Sequence, residues 1–361
     1  MEQSIPGLAA NCVTRVIFAF LSILINWVPF RLLLRNGEFA AVVFIVDVAI
    51  LNFFTIINSL IWHDDNWEMW WDGTGLCDVE VYLFVPLQTV YAASIFTIIY
   101  RLAEQVKATR VGQVRGEKTR RNIRQAAIIF TIPVIQLIWT YFDLAQRYII
   151  GTLIGCSAIY DSSWPKNVFF DAPPAVFAVF SVPYAILIWW RYRKIAKQSR
   201  EFMISGTEVS IRAARTRRRL YNMTLSILVV YLPVMIYYLV FSVRDTSGTH
   251  PYNFRKLHDS ANPYPWDAIL FVPSWIIPTT VMNQPWVVIA TSVAIVFFFG
   301  TTAEAKQMYM EYAENIGLAG CLQILKWKRG KSTSPADDSA DTHESGRTLV
   351  PNRVRGPIAD Q

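Results

Sequence analysis

Charge is what this sequence has least of. Asp, Glu, Lys and Arg make up 17% of its 361 residues, against about 25% in an ordinary soluble domain. Hydrophobic residues reach 53%, so the two soluble domains that length alone would suggest are excluded. Cysteine is scarce as well. Cys12, Cys77, Cys156 and Cys321 show no Cys-x-x-Cys or Cys/His spacing, which argues against a zinc site. The four histidines, His63, His250, His258 and His343, all fall outside the apolar blocks, so a membrane histidine-box oxidase or a haem relay has no ligands. There is no Ser-His-Asp set and no Gly-rich phosphate loop. Catalysis has no candidate residues; no cofactor, metal or enzymatic activity is expected. The formal charge of +7 does not imply nucleic acid, because the basic residues are confined to segments between apolar blocks.

Those blocks are what the sequence does have. A helix of about 20 apolar residues crosses about 30 Å of hydrocarbon, and seven blocks approach or exceed that length: Ala9–Phe30, Phe39–Trp62, Val79–Leu102, Ala126–Gln146, Val168–Trp190, Tyr221–Val243 and Gln284–Thr302. The apolar stretch Trp266–Met282 is broken by Pro273 and Pro278 and reads as an outer segment leading into the last helix; an eighth span is the competing reading. The loop after the second block carries Asp64, Asp65, Glu68, Asp72, Asp78 and Glu80 with no Lys or Arg, whereas those after the third and fifth are strongly basic. Basic loops stay in the cytoplasm. The expected fold is therefore all-α: a polytopic membrane protein, a seven-transmembrane helix bundle with its N-terminus outside and its C-terminus cytoplasmic. The chain opens without a basic n-region, so the first block is expected to serve as an uncleaved signal-anchor. The expected organisation is a bundle over residues 1–303, a juxtamembrane interfacial segment over 304–331 and a disordered cytoplasmic tail over 332–361. The segment ends in the basic cluster Lys326, Trp327, Lys328, Arg329 and Lys331, suited to membrane lipid at an anionic inner leaflet.

Polar residues inside the blocks are few enough to weigh singly. Asp47, Asn52 and Asn58 occupy the second block, and at ~100° per residue Asp47 and Asn58 fall only ~20° apart on the helical wheel. An acid in hydrocarbon is costly and points to function. Two readings stay open: Asp47 bonded to Asn26 as interhelical glue, or a conformational or ion-sensing role. Gln88 and Gln136 read as helix–helix hydrogen-bonding groups. Arg15, Asp143 and Asp171 are expected at outer ends, within reach of the interface. Pro86, Pro133, Pro183 and Pro233 each bend a helix; Pro233 frees the Val229 carbonyl midway along the sixth block and reads as a static kink or a hinge. Cys77 and Cys156 both fall on the expected outer side, where a disulfide can persist; a bridge and two free thiols are the alternatives. Cys321, beside the basic cluster, is a candidate palmitoylation site.

Several stretches together resemble one family. They are Asn52-Phe53-Phe54-Thr55-Ile56-Ile57-Asn58-Ser59-Leu60-Ile61-Trp62, Gly75-Leu76-Cys77-Asp78-Val79-Glu80, Gln146-Arg147-Tyr148 with Gly155-Cys156, and Phe297-Phe298-Phe299-Gly300-Thr301 followed by Ala305. In this order they are similar to the fungal receptors for lipid-modified, a-factor-type mating pheromones, class D G-protein-coupled receptors. The first inner loop, Val28–Asn36, departs from the family by lacking its Pro-Pro and Trp-His. The resemblance implies a plasma-membrane receptor that binds a farnesylated peptide pheromone and activates a heterotrimeric G protein; a homodimer is left open. A transporter or lipid-handling membrane enzyme is the rival. On this reading the outer-half aromatics and acids Trp62, Asp64, Asp65, Trp70, Trp71, Tyr82, Tyr91, Tyr237, Tyr238 and Phe241 are the candidate ligand site. Asp47, Asn52, Asn58, Gln88 and Pro233 form the candidate conformational core. Arg120, Arg121, Arg124, Arg215, Arg217, Arg218 and Arg219 are the candidate G-protein contact.

Overall fold

The computed structural model describes residues 6–107, 115–202, 208–246, 251–259 and 265–315. The chain divides into two compact units, Met1–Tyr309 and Met310–Gln361, and only the first few residues of the second are described. Four long helices come first: α1 Pro6–Arg35, α2 Phe39–Ile61, α3 Leu76–Lys107 and α4 Arg115–Asp143. A hairpin of β1 Leu144–Gly151 and β2 Gly155–Tyr160 follows, then α5 Ala172–Phe202 and α6 Glu208–Thr246. The short α7 Phe254–Asp259, β3 Ile269–Val272 and α8 Thr279–Met282 lead to α9 Pro285–Ile295 and α10 Ala303–Asn315. Among the described residues, seven helices are long and apolar enough to cross a membrane, the seventh running over Thr279–Gly300 through α8, α9 and a π-helical turn. The Pro-broken stretch before it is strand and loop, not an eighth span. Segments 108–114 and 203–207, and the residues from 316 onward with Cys321 and the expected tail, lie outside the described residues.

Hydrocarbon demands that every backbone group be bonded within the protein, and the helices meet that demand internally except where an interior proline removes a donor. Their hydroxyls follow suit: Thr55 donates to Leu51 O, Thr97 to Ala93 O, Thr140 to Gln136 O and Thr224 to Leu220 O, each one turn back. Large apolar side chains remain exposed around the bundle, among them Phe18, Leu24, Ile138, Phe180, Val229 and Phe297, as a lipid-facing surface requires. The main core joins α2, α3, α5, α6 and the seventh span through residues such as Phe44, Ile95, Ile98, Ile188, Met223 and Phe299.

The helical architecture carries one addition to the all-α expectation, a three-stranded sheet in the order β2-β1-β3. β1 pairs antiparallel with β2 (Ile149 opposite Ser157, Gly151 opposite Gly155) and parallel with β3 (Tyr148 opposite Ile269). The fourth helix thus ends at Asp143 instead of Gln146. In β1, Leu144, Gln146, Tyr148 and Ile150 alternate inward, the period of a strand. The sheet sits at one end of the bundle, hereafter the sheet end; the opposite end carries the arginines of α4 and α6 and is the basic end.

The hairpin tip, Thr152–Ile154, is driven into the bundle as a plug. Leu153, with φ of 62°, donates its N–H to Trp62 O at 2.8 Å and accepts Arg15 Nη1 at 3.0 Å. Arg15 Nη2 also donates to Met282 O at 2.7 Å. Asn58 Nδ2 donates to Ile154 O at 3.1 Å and to the Glu80 carboxylate. Thr152 donates to Asp65, which also accepts the Ser274 N–H and hydroxyl. Cys77 and Cys156 are disulfide-bonded and tie α3 to β2. Outside this knot Asp78 accepts two bonds from Arg147, at 2.7 and 2.6 Å, which holds the Arg147 guanidinium protonated even more firmly than usual.

Three sequence expectations change here. Arg15 and Asp143 lie toward the sheet ends of α1 and α4 but are fully buried in protein, Arg15 because the inserted backbone supplies it with carbonyl acceptors. Glu80, read as a loop acid, is also fully buried, because α3 begins at Leu76 and carries it inside. Asp47 does not bond Asn26: neither side chain has a hydrogen-bond partner among the described residues.

Two stability tests follow from the plug. Gly155 has φ of 69°, and a Cβ there would strike the Asn58 side chain, whereas Gly75 has φ of 88° with open space around it. Gly75→Ala should lose the backbone cost alone, about 1–2 kcal/mol, and Gly155→Ala clearly more, measured by thermal unfolding in detergent; equal losses would mean that the tip is not seated against Asn58. Asn58→Leu strips the buried Glu80 of its donor and should cost about 1–3 kcal/mol, with Glu80→Gln milder because an amide oxygen still accepts.

Candidate functional site

A cavity of about 450 Å³ lies inside the bundle between α2, α3, α6 and the seventh span. Its volume is within the usual range for small-molecule sites. Leu51 and Thr55 contribute from α2, Phe84, Gln88 and Tyr91 from α3, Ser226 through Met235 from α6, and Gln284 through Ala294 from the seventh span. No side chain lining it carries a formal charge. Its polar groups are neutral: Tyr91 Oη and Thr291 Oγ1 are 2.7 Å apart, Thr291 also donates to Val287 O, Thr55 donates to Leu51 O and Ser226 to Asn222 O. The Tyr91 ring packs on Phe44 and Tyr231 at 5.0 and 5.2 Å between centroids. The wall is thus aromatic and aliphatic, with the hydroxyls of Thr55, Tyr91, Ser226 and Thr291 already bonded. Such a surface rewards an apolar ligand and offers an ion nothing.

Of the ten residues read from sequence as a ligand site, only Tyr91 lines this cavity. Trp62 is fully buried, stacked on Trp71 and donating to its carbonyl. Asp65 is consumed by Thr152 and Ser274. Asp64 accepts from Asn66 N and Trp70 Nε1, and the Trp70 ring meets Phe271 edge-on. Tyr82 is half-buried on α3 outside the cavity lining. Tyr237, Tyr238 and Phe241 are exposed on the flank of α6. Aromatics and acids near an end of the bundle therefore hold the sheet end together or face outward.

The candidate core residues fare differently. Gln88 faces the cavity, Asn52 donates to Val48 O at 2.8 Å and to Ser292 Oγ at 3.4 Å, and Gln136 donates to Phe169 O in the π-helical turn before α5. Pro233 lies within the cavity-lining stretch of α6. Sequence reading missed Thr55, Tyr231, Trp286 and Thr291. Thr55 had a usable signal, since it lies three residues from both Asn52 and Asn58 on the polar stripe of α2.

At the basic end, Arg101 of α3 forms a buried ion pair with Glu38 at the start of α2. Arg121 and Arg217 both repel the Arg101 guanidinium, which brings α4 and α6 arginines to one neighbourhood. Arg124 pairs with Glu104 and lies 5.7 Å over the Tyr100 ring. Arg120, Arg215 and Arg218 are exposed, and Arg219 is half-buried.

Comparison with known proteins bears on this architecture. The model of the pheromone A receptor family matches residues 14–317. Relatives include the pheromone a factor receptor of Saccharomyces cerevisiae, 25% identical over 289 residues, covering 80% of this chain and 58% of that protein. The pheromone B alpha 3 receptor of Schizophyllum commune is 22% identical over 297 residues, covering 81% and 46%. The pheromone M-factor receptor of Schizosaccharomyces pombe is 20% identical over 188 residues, covering 50% of each. The chain spans about half the length of these relatives. With seven membrane-crossing helices and a family match over most of its length, this chain is a multi-pass plasma-membrane protein that belongs to the pheromone A receptor family.

Proposed function

We propose that the protein is a G-protein-coupled receptor, not an enzyme, that binds a farnesylated peptide pheromone through the cavity between α2, α3, α6 and the seventh span. The observation that carries this reading is the cavity's uncharged, largely apolar wall inside a chain of this family. A farnesyl group offers about fifteen carbons, and at about 0.8 kcal/mol per buried CH₂ its burial contributes several kcal/mol after ordering costs. In this reading the sheet end faces outside, where a disulfide persists, and the basic end faces the cytoplasm. Arg120, Arg121, Arg124, Arg215, Arg217, Arg218 and Arg219 there form the surface for the heterotrimeric G protein. A positive surface of this kind steers an acidic partner.

Two measurements test the reading. The farnesylated peptide should activate the G protein in cells at far lower concentration than its unmodified form, and equal potency would reject a lipid-reading site. Joint charge reversal of Arg217, Arg218 and Arg219 to Glu should abolish G-protein activation while peptide binding stays within a few fold; intact signalling at normal surface expression would reduce those arginines to topology and lipid anchors.

A further inference from the structure

The cavity is roofed toward the sheet end and open on its flank. One helical turn beyond Thr55 stands Asn58, and one turn beyond Phe84 stands Glu80; the two bond each other and both are buried. Above them sits the hairpin tip, with Thr152 and Leu153 fully buried. Arg15 and the Trp62 carbonyl grip that tip, and Cys77–Cys156 closes it covalently. On the α2–α3 side, then, a layer of mutually bonded groups separates the cavity from the end of the bundle.

The flank is different. Among the lining residues Val230, Val234 and Val287 are 65%, 49% and 39% exposed, and Ser226, Gln284 and Ala290 are exposed as well. All six belong to α6 or the seventh span, so the opening lies between those two helices and faces the lipid. From Gln284 to Ala294 the lining follows the seventh span for about 15 Å at 1.5 Å per residue, from near its sheet end to past its middle.

We propose that the ligand's lipid chain reaches the cavity sideways from the bilayer, through the gap between α6 and the seventh span, and not through the sheet end; this rests on the lipopeptide reading above. A prenyl chain partitions into the membrane before it meets the receptor, so a lateral mouth receives it without returning it to water. The polar head of the ligand then stays at the upper rim of the gap, beside Asn283 and Gln284, both exposed. Arg15 joins the two halves of the device: one guanidinium nitrogen holds the plug at Leu153 O, and the other holds Met282 O, immediately before the rim.

The test locks the gap before or after loading. Tyr231 and Thr291 both touch Tyr91 and mark one level; from there the antiparallel helices bring Val234 and Val287 level with each other. Val234→Cys and Val287→Cys are introduced in the full chain with Cys12→Ser and Cys321→Ser. The receptor in phosphatidylcholine nanodiscs is then joined across the gap by a short bifunctional methanethiosulfonate. The probe is radiolabelled N-acetyl-S-farnesylcysteine methyl ester. Cross-linking before loading should slow its association at least about tenfold, cross-linking after loading should trap it, and reductant should reverse both. Unchanged association after cross-linking overturns the lateral route. Failure of the probe to bind the unlinked receptor, or binding that a cavity-filling Ala294→Trp leaves intact, overturns the cavity reading itself and the route with it.

Discussion

A loop can enter the end of a membrane bundle only if the bundle supplies partners for its backbone, and in this protein one buried cation does much of that work. Arg15 donates to the carbonyls of Leu153 and Met282, one from the hairpin and one from the start of the seventh span. A guanidinium has five donors in a fixed fork and stays charged, so it can bridge two backbone segments that have no bonds to spare for each other. Asn58 serves the next carbonyl along, Ile154, and anchors Glu80 at the same time. Gly155 then has to be glycine for two separate reasons: its positive φ and the Asn58 side chain where a Cβ would sit. The disulfide, the Asp65 bonds to Thr152 and Ser274 and the parallel pairing of β1 with β3 all close around the same tip.

The seven spans were legible in the sequence because the membrane imposes a length and a composition on each block independently. The expected sidedness rests on loop charge for a like reason, since Lys and Arg report a side without needing any partner. The plug was not legible. Arg15 bonds a carbonyl 138 residues away, and Asp65 bonds a serine 209 residues away. Without those partners Arg15 reads as an interfacial residue and Asp65 as a free acid waiting for a ligand. β1 had the alternation of a strand, but Gln146 was absorbed into the preceding apolar block, which hid its start. Glu80 was misplaced by a different fault, being counted with the acidic loop although α3 had already begun.

The candidate site shows the same division. The polar stripe on α2 was visible as periodicity, and Thr55 on that stripe does face the cavity. The cavity's other walls come from three further helices, and nothing in the pattern of one helix tells which of its aromatics meet another. Tyr91 and Tyr231 touch each other in the interior, while Tyr237, six residues further along α6, is exposed. Both positions on α6 are tyrosines in an apolar block, and only the packing of α6 against α3 separates them. Grouping aromatics by nearness to one face of the membrane therefore favoured residues that brace the sheet end over those that enclose space.

The placement of the cavity also bears on how a signal would cross the membrane. Ser226 through Met235 form one wall, and Pro233 lies inside that stretch, where it leaves the Val229 carbonyl without its usual intrahelical donor. Further toward the basic end the same helix carries Arg217, Arg218 and Arg219. The opposite wall, the seventh span, passes through a π-helical turn at Val296–Gly300 before α10 begins, and such turns interrupt the regular ladder of a helix. One wall of the gap thus contains an irregularity, and the other is followed by one toward the basic end. A chain wedged between α6 and the seventh span would push on the two helices that have a built-in place to bend. α2 and α3 are held instead by the Asn58–Glu80 bond near one end and the Arg101–Glu38 pair near the other. The rigid and the yielding halves of the bundle meet at Tyr91, whose hydroxyl bonds Thr291 of the seventh span and whose ring packs on Tyr231 of α6. Displacement of either helix by a ligand would be felt first at that residue.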